Sequence, residues 1–290
     1  MYSIDKINNT ADKIFDLIGY PDKRNEFWKY TNLKKFKSLK FIKPSKFDIN
    51  FDSLSTFNDL SIPTITICNG KVISYPKNES CLLISDKLKK PSKDFYESFI
   101  SNENDNYKNN PFLILNSAHF KDGVYLKLDN KFKDILIKII NDGADNDYKT
   151  SYSRVHIDIE KNVNSNIIIH HIGAGTNKYY KNNVVNINSN EGSKVSIINL
   201  FEESNQSYSM NNIILNQKKY SEVKQSSFYM SSGFIRTDIV NNLNESESYS
   251  SINGLFLGDN EEFIDNNIII NHNSNYTYSK VLYKGILDGK

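Results

Sequence analysis

The sequence predicts a mainly β protein, in which a β-helix core follows a smaller helical N-terminal region. After Gly123, short runs of β-branched and aromatic residues recur roughly every 10 to 15 residues, without a helical period between them. Asparagine repeatedly stands beside the ends of these runs, where the turns of stacked coils can form amide ladders. The Cys…Trp…Cys pattern of an immunoglobulin sandwich is absent from the sequence. The pattern therefore favours a solenoid over a sandwich.

The N-terminal region begins with an amphipathic helix. Apolar residues recur at spacings of three and four between Ile4 and Ile18, which places them on one helical face. Gly19 and Pro21 end this helix. The stretch Arg24–Phe41 is irregular, and we expect short helices and loops there.

A hairpin, two helices and a linker follow. Within Ile62–Ser74, the dipeptide Asn69-Gly70 supplies the positive φ angles of a tight turn between two β runs. Asp94–Ile100 and Phe112–Phe120 predict helices. The polar stretch Asn102–Asn110 predicts a linker.

We place a domain boundary near residue 110. Residues 1–110 then form the helical N-terminal region with its small hairpin, and residues 111–290 form the β-helix core. The predicted core strands are Val124–Leu128, Ile135–Ile140, Val155–Ile159, Ile167–Ile172, Val184–Ile187, Val195–Leu200, Asn212–Leu215, Val223–Tyr229, Phe234–Val240, Tyr249–Leu257, Phe263–Ile270 and Tyr276–Ile286. Each coil buries its inward side chains only against its neighbours, so an end coil must be capped or paired.

Charge and hydropathy exclude several classes of protein. Lys+Arg 36 against Asp+Glu 34 gives a formal net charge of +2, which indicates no general affinity for nucleic acid or anionic membranes. No apolar run approaches the roughly 18 residues of a membrane span. The Met1–Asp16 segment lacks the apolar stretch and cleavage site of a secretory signal. We expect a soluble protein of the cytoplasm or of an organellar stroma.

Candidate chemical groups are few. The sequence has no Gly-x-Ser-x-Gly elbow, no His-Glu-x-x-His zinc helix and no Cys-x-x-Cys pair. Cys68, His119, His156 and His272 are individual candidates for iron or sulfur contacts, but they lack the spacing of a ligand cluster. Cys68 and Cys81 are too few for a disulfide framework.

Two further patterns suggest chemistry. Adjacent His170 and His171 point to opposite faces of a strand, so they cannot easily share one ion, and we expect one to be buried and one exposed. The acidic pair Glu202-Glu203, and Glu261-Glu262 with Asp265, suggest an alternative function, a carbohydrate-active β-helix enzyme. Surface turns carry such acids routinely, so the sequence favours a protein that is not an enzyme.

Several segments together resemble the SufD proteins of the SUF iron–sulfur cluster assembly system. Arg24–Leu33 is similar to their signature E-x-W-(K/R)-Y-T-x-L, Cys68–Lys71 to their hairpin x-N-G-(R/K), and Leu115–Gly123 to the segment L-N-x-A-F-x-x-D-G. The most specific similarity runs from Gly233 to Lys290. There, motifs occur in the family's order and approximate spacing: Phe234-Ile235-Arg236-Thr237-Asp238, Asn253-Gly254-Leu255-Phe256, Asp265-Asn266, His272, Ser279 and Tyr283-Lys284-Gly285-Ile286-Leu287-Asp288-Gly289-Lys290.

The resemblance implies a helical N-terminal region followed by a right-handed parallel β-helix. It implies a scaffold subunit that pairs with a SufB-like paralogue and associates with a SufC-like ATPase, while a nascent iron–sulfur cluster is built at the level of the complex. No metal, cofactor or catalytic residue is transferred to a position of this sequence. The family motif residues, for which we expect packing roles in turns and coils, are Trp28, Tyr30, Arg236, Asp238, Asn253, Gly254, His272, Tyr283, Lys284 and Gly285.

The end of the sequence departs from the family pattern. Family members continue with further coils, a motif similar to D-V-x-C-x-H-G-A-T-x-G and a helical region that docks the ATPase, whereas this sequence stops at Lys290. We expect either a separate polypeptide that supplies the missing C-terminal part or a decayed remnant. Cys68 and Cys81 are expected to lie outside the β core, which disfavours a SufB-type interpretation.

Overall fold

The protein folds as a parallel β-helix with helices on one side. The computed structural model describes residues 3–43, 54, 57, 60–96, 99, 110–175, 177–259 and 261–288. These residues form two eight-stranded sheets and a solenoid of about six turns. Consecutive core strands alternate between the two sheets, so each coil contributes one strand to each sheet. The predicted fold class is confirmed.

Five helices lie in the N-terminal part of the described chain. They are α1 (Ile4–Ile18), α2 (Lys34–Lys37), α3 (Ile84–Lys89), α4 (Lys93–Tyr96) and α5 (Pro111–His119), and a 3-10 turn spans Glu26–Trp28. The predicted end of α1 is confirmed, because Gly19 adopts a φ of 62° there. The predicted helix Asp94–Ile100 begins as α4, and its residues beyond Tyr96, except Phe99, lie outside the described residues, as does nearly all of the predicted linker. None of the helices in the described part of the chain is long and apolar enough to cross a membrane.

Sixteen strands form the two sheets of the described chain. They are β1 (Phe41–Ile42), β2 (Thr64–Cys68), β3 (Lys71–Ser74), β4 (Cys81–Leu83), β5 (Val124–Leu128), β6 (Asp134–Asp142), β7 (Tyr148–Ile159), β8 (Asn164–Ala174), β9 (Tyr179–Ser189), β10 (Lys194–Glu202), β11 (Tyr208–Gln217), β12 (Glu222–Ser231), β13 (Phe234–Leu243), β14 (Tyr249–Asp259), β15 (Phe263–His272) and β16 (Tyr278–Asp288). Sheet A has the order β15-β13-β11-β9-β7-β5-β4, with β1 beside β7, and sheet B has the order β16-β14-β12-β10-β8-β6-β2-β3. The pairs β2/β3 and β4/β5 are antiparallel, and the other pairs are parallel.

The predicted hairpin is β2 and β3. Its turn residues Asn69 and Gly70 have φ angles of 46° and 77°. The expectation that both cysteines lie outside the β core is wrong. Cys68 ends β2, which pairs with β6, and Cys81 begins β4 and packs in the main aliphatic core. Both strands cover the first coil, whose edges would otherwise be unpaired.

Eleven of the twelve predicted core strands fall within β5–β15, and the twelfth, Tyr276–Ile286, begins two residues before β16, in the turn that contains Tyr276; several observed strands are longer than predicted. In β9, Lys181 and Asn183 occupy inward positions in front of the apolar run that begins at Val184. Beside them, an aliphatic layer of Val155, Val185, Ile213 and Ile239 runs across β7, β9, β11 and β13 in register. The interior therefore combines polar and aliphatic layers.

The expected asparagine ladder is present on the outer face of sheet A. Asn216 donates a hydrogen bond to Asn188 at 3.0 Å, Asn242 to Asn216 at 2.9 Å, and Asn271 to Asn242 at 2.8 Å. Asn188 donates in turn to Asp158 at 2.6 Å. Each asparagine is the next-to-last residue of its strand, so the ladder fixes the register of β9, β11, β13 and β15.

The turns that lead into sheet B also superimpose. In each turn, the residue two positions before the strand has a positive φ: Asn162 59°, Gly192 68°, Tyr220 59°, Glu247 61° and Tyr276 57°. The amide of each of the first four residues donates a hydrogen bond to a carbonyl of the next turn. The stacked turns therefore continue the hydrogen bonding of the sheets around the corner.

The helices and the aromatic residues of the N-terminal region pack on the outer face of sheet A. Trp28, Phe36 and Phe112 form one cluster with Tyr180 and Tyr208. Helices α1 and α5 pack together and cover Val184 and Ile214. Strands β15 and β16 form the last coil of the described β-helix, which we call the terminal coil. Its outer side has no neighbour among the described residues.

Candidate functional site

Arg236 binds the N-terminal segment to sheet A. It lies on β13 beside Asp265 of β15, and Asp238 follows two residues later on the same face. The guanidinium donates to Asp238 through Nε at 3.1 Å and Nη2 at 2.7 Å, and to Asp265 through Nη1 at 2.6 Å. It also donates to the Thr31 hydroxyl at 2.7 Å and to the Phe27 carbonyl at 2.8 Å. All five N–H donors of the guanidinium are therefore used.

Trp28 completes this cluster. Its ring centroid lies 3.8 Å from the guanidinium carbon of Arg236, and both side chains are almost fully buried. Such a contact is attractive, because the negative face of the indole faces a desolvated cation. We call Arg236, Asp238, Asp265, Thr31 and Trp28 the Arg236 cluster. It joins three of the predicted motif residues, Trp28, Arg236 and Asp238, and adds Thr31 and Asp265 to them.

Three motif residues, Gly254, Tyr283 and Gly285, pack across the paired strands β14 and β16. Gly254 is opposite Tyr283, and Phe256 is opposite Gly285. A Cβ atom at Gly254 would overlap the ring of Tyr283, and one at Gly285 would overlap the ring of Phe256. Each glycine thus makes room for an aromatic ring of the neighbouring strand. The two glycines therefore allow close packing between these strands.

The remaining motif residues do not join a common site. Asn253 is half-buried and donates to Ser251 at 3.3 Å. His272 is exposed and hydrogen-bonds Thr277 at 2.7 Å and Ser279 at 3.0 Å. Lys284 is exposed on β16, and Tyr30 is 80% exposed. None of these contacts suggests a binding function.

The sequence analysis did not identify a charged cluster inside the β-helix. Lys181 of β9 and Glu203, just after β10, form a fully buried ion pair. The Lys181 ammonium also lies 3.0 Å from His171 Nδ1, and the Tyr179 hydroxyl donates to the second oxygen of Glu203. Only the strand alternation, which turns Lys181 inward together with Val185, could have suggested it.

Burial dominates the protonation of this Lys181 cluster. Burial lowers the pKa of Lys181, against the attraction of Glu203. Burial and the charge of Lys181 hold the pKa of His171 well below its ordinary value, so this imidazole is neutral. Burial, followed by the charge of Glu203, raises the pKa of Tyr179 well above its ordinary value. His171 and Tyr179 are therefore neutral neighbours of the Lys181–Glu203 pair.

The expectation of one buried and one exposed histidine is wrong, because His170 and His171 are both 1% exposed. His171 faces the interior and stacks on Phe201, with ring centroids 4.3 Å apart. His170 faces outward, but Phe57 packs on it at 5.2 Å and Glu202 hydrogen-bonds it at 2.6 Å. These outer contacts cover the side chain that was expected to meet solvent.

The other histidine and cysteine candidates do not converge. In the described part of the chain, no three His, Cys, Asp or Glu side chains are placed to share a metal ion. Burial raises the pKa of the Cys68 thiol to about 12, with a further contribution from the charge of Asp142, and burial alone raises that of Cys81 to about 12. His119 lies exposed at the end of α5. Neither thiol is a thiolate at neutral pH.

His156 is buried on the outer face of sheet A beside Asp158. Its Nε2 lies 3.2 Å from Asp158 Oδ1, and the Tyr125 hydroxyl donates to Asp158 Oδ2 at 2.9 Å. Burial acts to raise the pKa of Asp158, but the hydrogen bonds and charge of His156, with hydrogen bonds from Asn188 and Tyr125, lower it to about 2. This network holds a carboxylate under the helical region.

Three of the acids that suggested carbohydrate chemistry, Glu202, Glu203 and Asp265, are not free. Glu203 is paired with Lys181 inside the β-helix, and Glu202 lies on the opposite face beside His170. Asp265 is paired with Arg236. A glycosidase needs two carboxyl groups that face one substrate. These acids do not supply that arrangement.

Comparison with known proteins gives one family. Residues 139–290, slightly more than half of the chain, match the family described as SUF system FeS cluster assembly, SufBD core domain. The matched segment includes β7–β16, and therefore Arg236, Lys181 and the terminal coil. No curated protein sequence matches the chain.

Proposed function

The chain belongs to the SufBD core domain family of the SUF system for FeS cluster assembly, and from that membership we propose that it is a SufD-like scaffold subunit. In this role it binds partner proteins and catalyses no reaction itself. ATP hydrolysis belongs to a SufC-like partner. The nascent cluster is a cargo of the assembled complex.

The burial and raised thiol pKa of both cysteines are the observation that supports the SufD-like assignment. Iron–sulfur clusters are held mainly by cysteine thiolates, which form at accessible sites of lowered pKa. The sequence contains two cysteines, and both are buried with pKa values of about 12. Neither Cys68 nor Cys81 is therefore suited to hold a nascent cluster. Within the residues of this sequence, this supports a role in shaping the scaffold over one in holding the cluster.

We further propose that a SufB-like partner pairs with the terminal coil. Strands β15 and β16 present backbone donors and acceptors along their outer edges. Ile286 and Leu287 of β16 are 63% and 75% exposed, and no described strand lies outside β16. A partner strand would cover both the edge and these side chains.

Co-purification of the tagged chain from its native source, followed by mass spectrometry, tests the proposal. We expect SufB-like and SufC-like proteins to be recovered. The double variant Ile286→Lys, Leu287→Lys should lose the SufB-like protein. Ile198→Lys is the matched control, because Ile198 is also partly exposed but lies on the central strand β10. Recovery of neither protein with the unaltered chain would contradict the proposed function, and fractionation of the same cells would check the proposed location in cytoplasm or stroma.

A further inference from the structure

Three successive strands of sheet A carry one repeated side-chain pattern. Strands β11, β13 and β15 each begin with an aromatic residue, and each has a β-branched aliphatic residue at its seventh position and an asparagine at its ninth. These residues are Tyr208, Ile214 and Asn216, then Phe234, Val240 and Asn242, then Phe263, Ile269 and Asn271. They pair in register on the outer face of the sheet. Each position of the pattern therefore forms a row that crosses the strands and reaches β15.

The aromatic and amide rows both end at the open edge of β15. In the aromatic row, the ring centroids of Tyr208 and Phe234 are 5.2 Å apart, and those of Phe234 and Phe263 are 4.6 Å apart. In the amide row, Asn271 donates to Asn242 at 2.8 Å and accepts no hydrogen bond from a described residue. The side-chain oxygen of Asn271 can therefore accept from the amide of a further strand.

The aliphatic row lies along a cleft of about 300 Å³ on the same face. Phe27 and Leu113 line the cleft from the N-terminal region, and three of its other lining residues, Asn267, Ile269 and Asn271, belong to β15. The cleft therefore adjoins the open edge. An aliphatic side chain beside Ile269 on a further strand would extend the row along it.

The backbone of β15 has groups that can pair with such a strand. The amides of Phe263 and Asn273 donate to the carbonyls of Gly233 and Leu243, on the side of β13. Backbone groups alternate between the two sides of a strand, so those of the even-numbered residues between Phe263 and Asn273 face the other side. No described strand lies on that side of β15.

Charge adds a requirement at the third position of the pattern. The Asp265 side chain of β15 is 19% exposed, and it shares Arg236 with Asp238, so one guanidinium faces two carboxylates. The hydrogen bonds that Asp265 accepts from Arg236 and Thr31 both end on its Oδ2. A cation beside Asp265 on a further strand would balance the excess negative charge.

We propose that β15 pairs with a parallel strand of the partner protein, and that the outward side chains of this strand continue the three rows. They are aromatic at the first position, basic at the third, aliphatic at the seventh and asparagine at the ninth. The parallel direction follows from the register of β11, β13 and β15, which keeps like side chains side by side. This inference rests on the proposed pairing of a partner with the terminal coil, and it adds the sequence pattern by which the partner strand is recognised.

A peptide with the sequence of β13 tests the proposal, because β13 itself has this pattern. The probe is residues 234–242, acetylated, amidated and labelled with a fluorophore, and the control peptide exchanges its arginine and its valine. The two peptides have the same composition and the same inward residues. By fluorescence anisotropy with the full-length chain, we expect saturable binding of the probe, and binding of the exchanged peptide that is weaker by about tenfold or more. The chain carries Ile286→Lys and Leu287→Lys, which change only β16 and should keep it dispersed.

A reversal of peptide preference identifies the site. Ile269→Glu should weaken binding of the probe and strengthen binding of the exchanged peptide, whose arginine then lies beside the new carboxylate. Leu282→Glu is the matched control, because Leu282 is 46% exposed but lies on β16, and it should leave both affinities unchanged. Thermal unfolding of each variant verifies that it is folded.

Three outcomes would overturn the inference. They are the absence of saturable binding of the probe, equal binding of the two peptides, and tighter binding of a peptide with the reversed sequence. The last outcome would show that the edge takes an antiparallel strand, such as that of a second copy of the chain.

The peptide assay uses the chain alone, so it is separate from the co-purification. Recovery of a SufB-like protein from cells without specific peptide binding would overturn this inference alone. Specific peptide binding without recovery of either partner would overturn the proposed function alone.

Discussion

The guanidinium of Arg236 lies against the indole of Trp28, with 3.8 Å between the guanidinium carbon and the ring centroid. The two residues come from opposite parts of the chain, one from the 3-10 turn near the N-terminus and the other from β13. Their contact holds the N-terminal segment on sheet A near the end of the described solenoid. Each of the five N–H donors of Arg236 also has a partner, so the geometry depends on a planar guanidinium.

Arg236→Lys should therefore destabilise the protein, although it keeps the charge. A lysine ammonium cannot make the paired hydrogen bonds that the guanidinium makes to Asp238. It also leaves the buried charges of Asp238 and Asp265 incompletely neutralised, which should lower the free energy of unfolding by about 3 kcal/mol. Urea denaturation measures this change, and limited proteolysis should show earlier cleavage around Phe27–Thr31. Arg24→Lys is the control, because the Arg24 side chain is 91% exposed in its pair with Asp22. Equal stability of the two variants would contradict the role assigned to Arg236.

Acid should weaken the fold through Asp158. The folded-state pKa of Asp158 is about 2, below its ordinary value of 3.8. The carboxylate therefore contributes about 2 kcal/mol of stability above pH ~4, and this contribution is lost as the pH falls from about 4 to about 2. In urea titrations, the difference in free energy of unfolding between the wild type and Asp158→Asn should shrink over this range.

The control for the acid experiment is Asp16→Asn, at the exposed end of α1. Its difference from the wild type should stay small at all pH values. A difference for Asp158→Asn that is constant between pH ~4 and pH ~2 would show that His156, Asn188 and Tyr125 do not stabilise the ionised form.

Gly254→Ala should destabilise the last coils by about 1 to 3 kcal/mol, because the added methyl group overlaps the ring of Tyr283 in a packed interior. In a double-mutant cycle, Tyr283→Leu should partly restore stability to Gly254→Ala, which gives a coupling energy of about 1 kcal/mol. Gly258→Ala on the same strand is the control. Its added methyl group meets only the end of the flexible Leu287 side chain, so its cost should be smaller. Additive effects of Gly254→Ala and Tyr283→Leu would rule out the reciprocal packing.

The purified chain alone should self-associate through the terminal coil. Its strand edges are unpaired among the described residues, and Ile286 and Leu287 are largely exposed. Light scattering should show a mass above that of one chain, and Ile286→Lys with Leu287→Lys should reduce it. A monodisperse monomer of the unaltered chain would count against this edge as an association surface.

The polar layer of the interior should contain ordered water. Both polar side-chain atoms of Asn199 are buried without partners in the described structure. The same is true of Asn183 Nδ2 and of Asn211 Oδ1. Buried groups of this kind are normally satisfied by internal water molecules with about three hydrogen bonds each. A high-resolution crystal structure should show them, while the aliphatic layer around Val185 and Ile213 stays dry. Amides that rotate to pair directly with one another would contradict this expectation.

The sequence predicted the solenoid because its signals are local. Alternating Val and Ile mark the inward positions of strands such as β10, and Asn69-Gly70 marks the hairpin. The long-range partners of Arg236 could not be predicted, because nothing local relates Thr31 or Asp265 to β13. Lys and Glu usually lie on the surface, so the sequence gives no sign that Lys181 and Glu203 are buried. Both point inward only because the strands close into a solenoid.

The buried location of the cysteines was missed for a related reason. The first coil is covered by the short strands β2 and β4, and their pairing with β6 and β5 depends on how the chain returns to the sheets. Strands this short have weak sequence patterns. The family resemblance identified Trp28, Arg236 and Asp238 as motif residues. The structure shows that the side chain of Arg236 contacts both of the others.

The superimposed turns that precede the strands of sheet B determine where this protein can change in length. From Asn162 to Tyr276 the positive-φ residues stack coil upon coil, although the numbers of residues between them are unequal. The turns into sheet B vary only between four and five residues, so much of the variation is accommodated at the opposite corner, in connections such as residues 203–207 between β10 and β11. That corner is where homologous chains can gain or lose residues without shifting a strand, and where a fluorescent label or an affinity tag can be inserted.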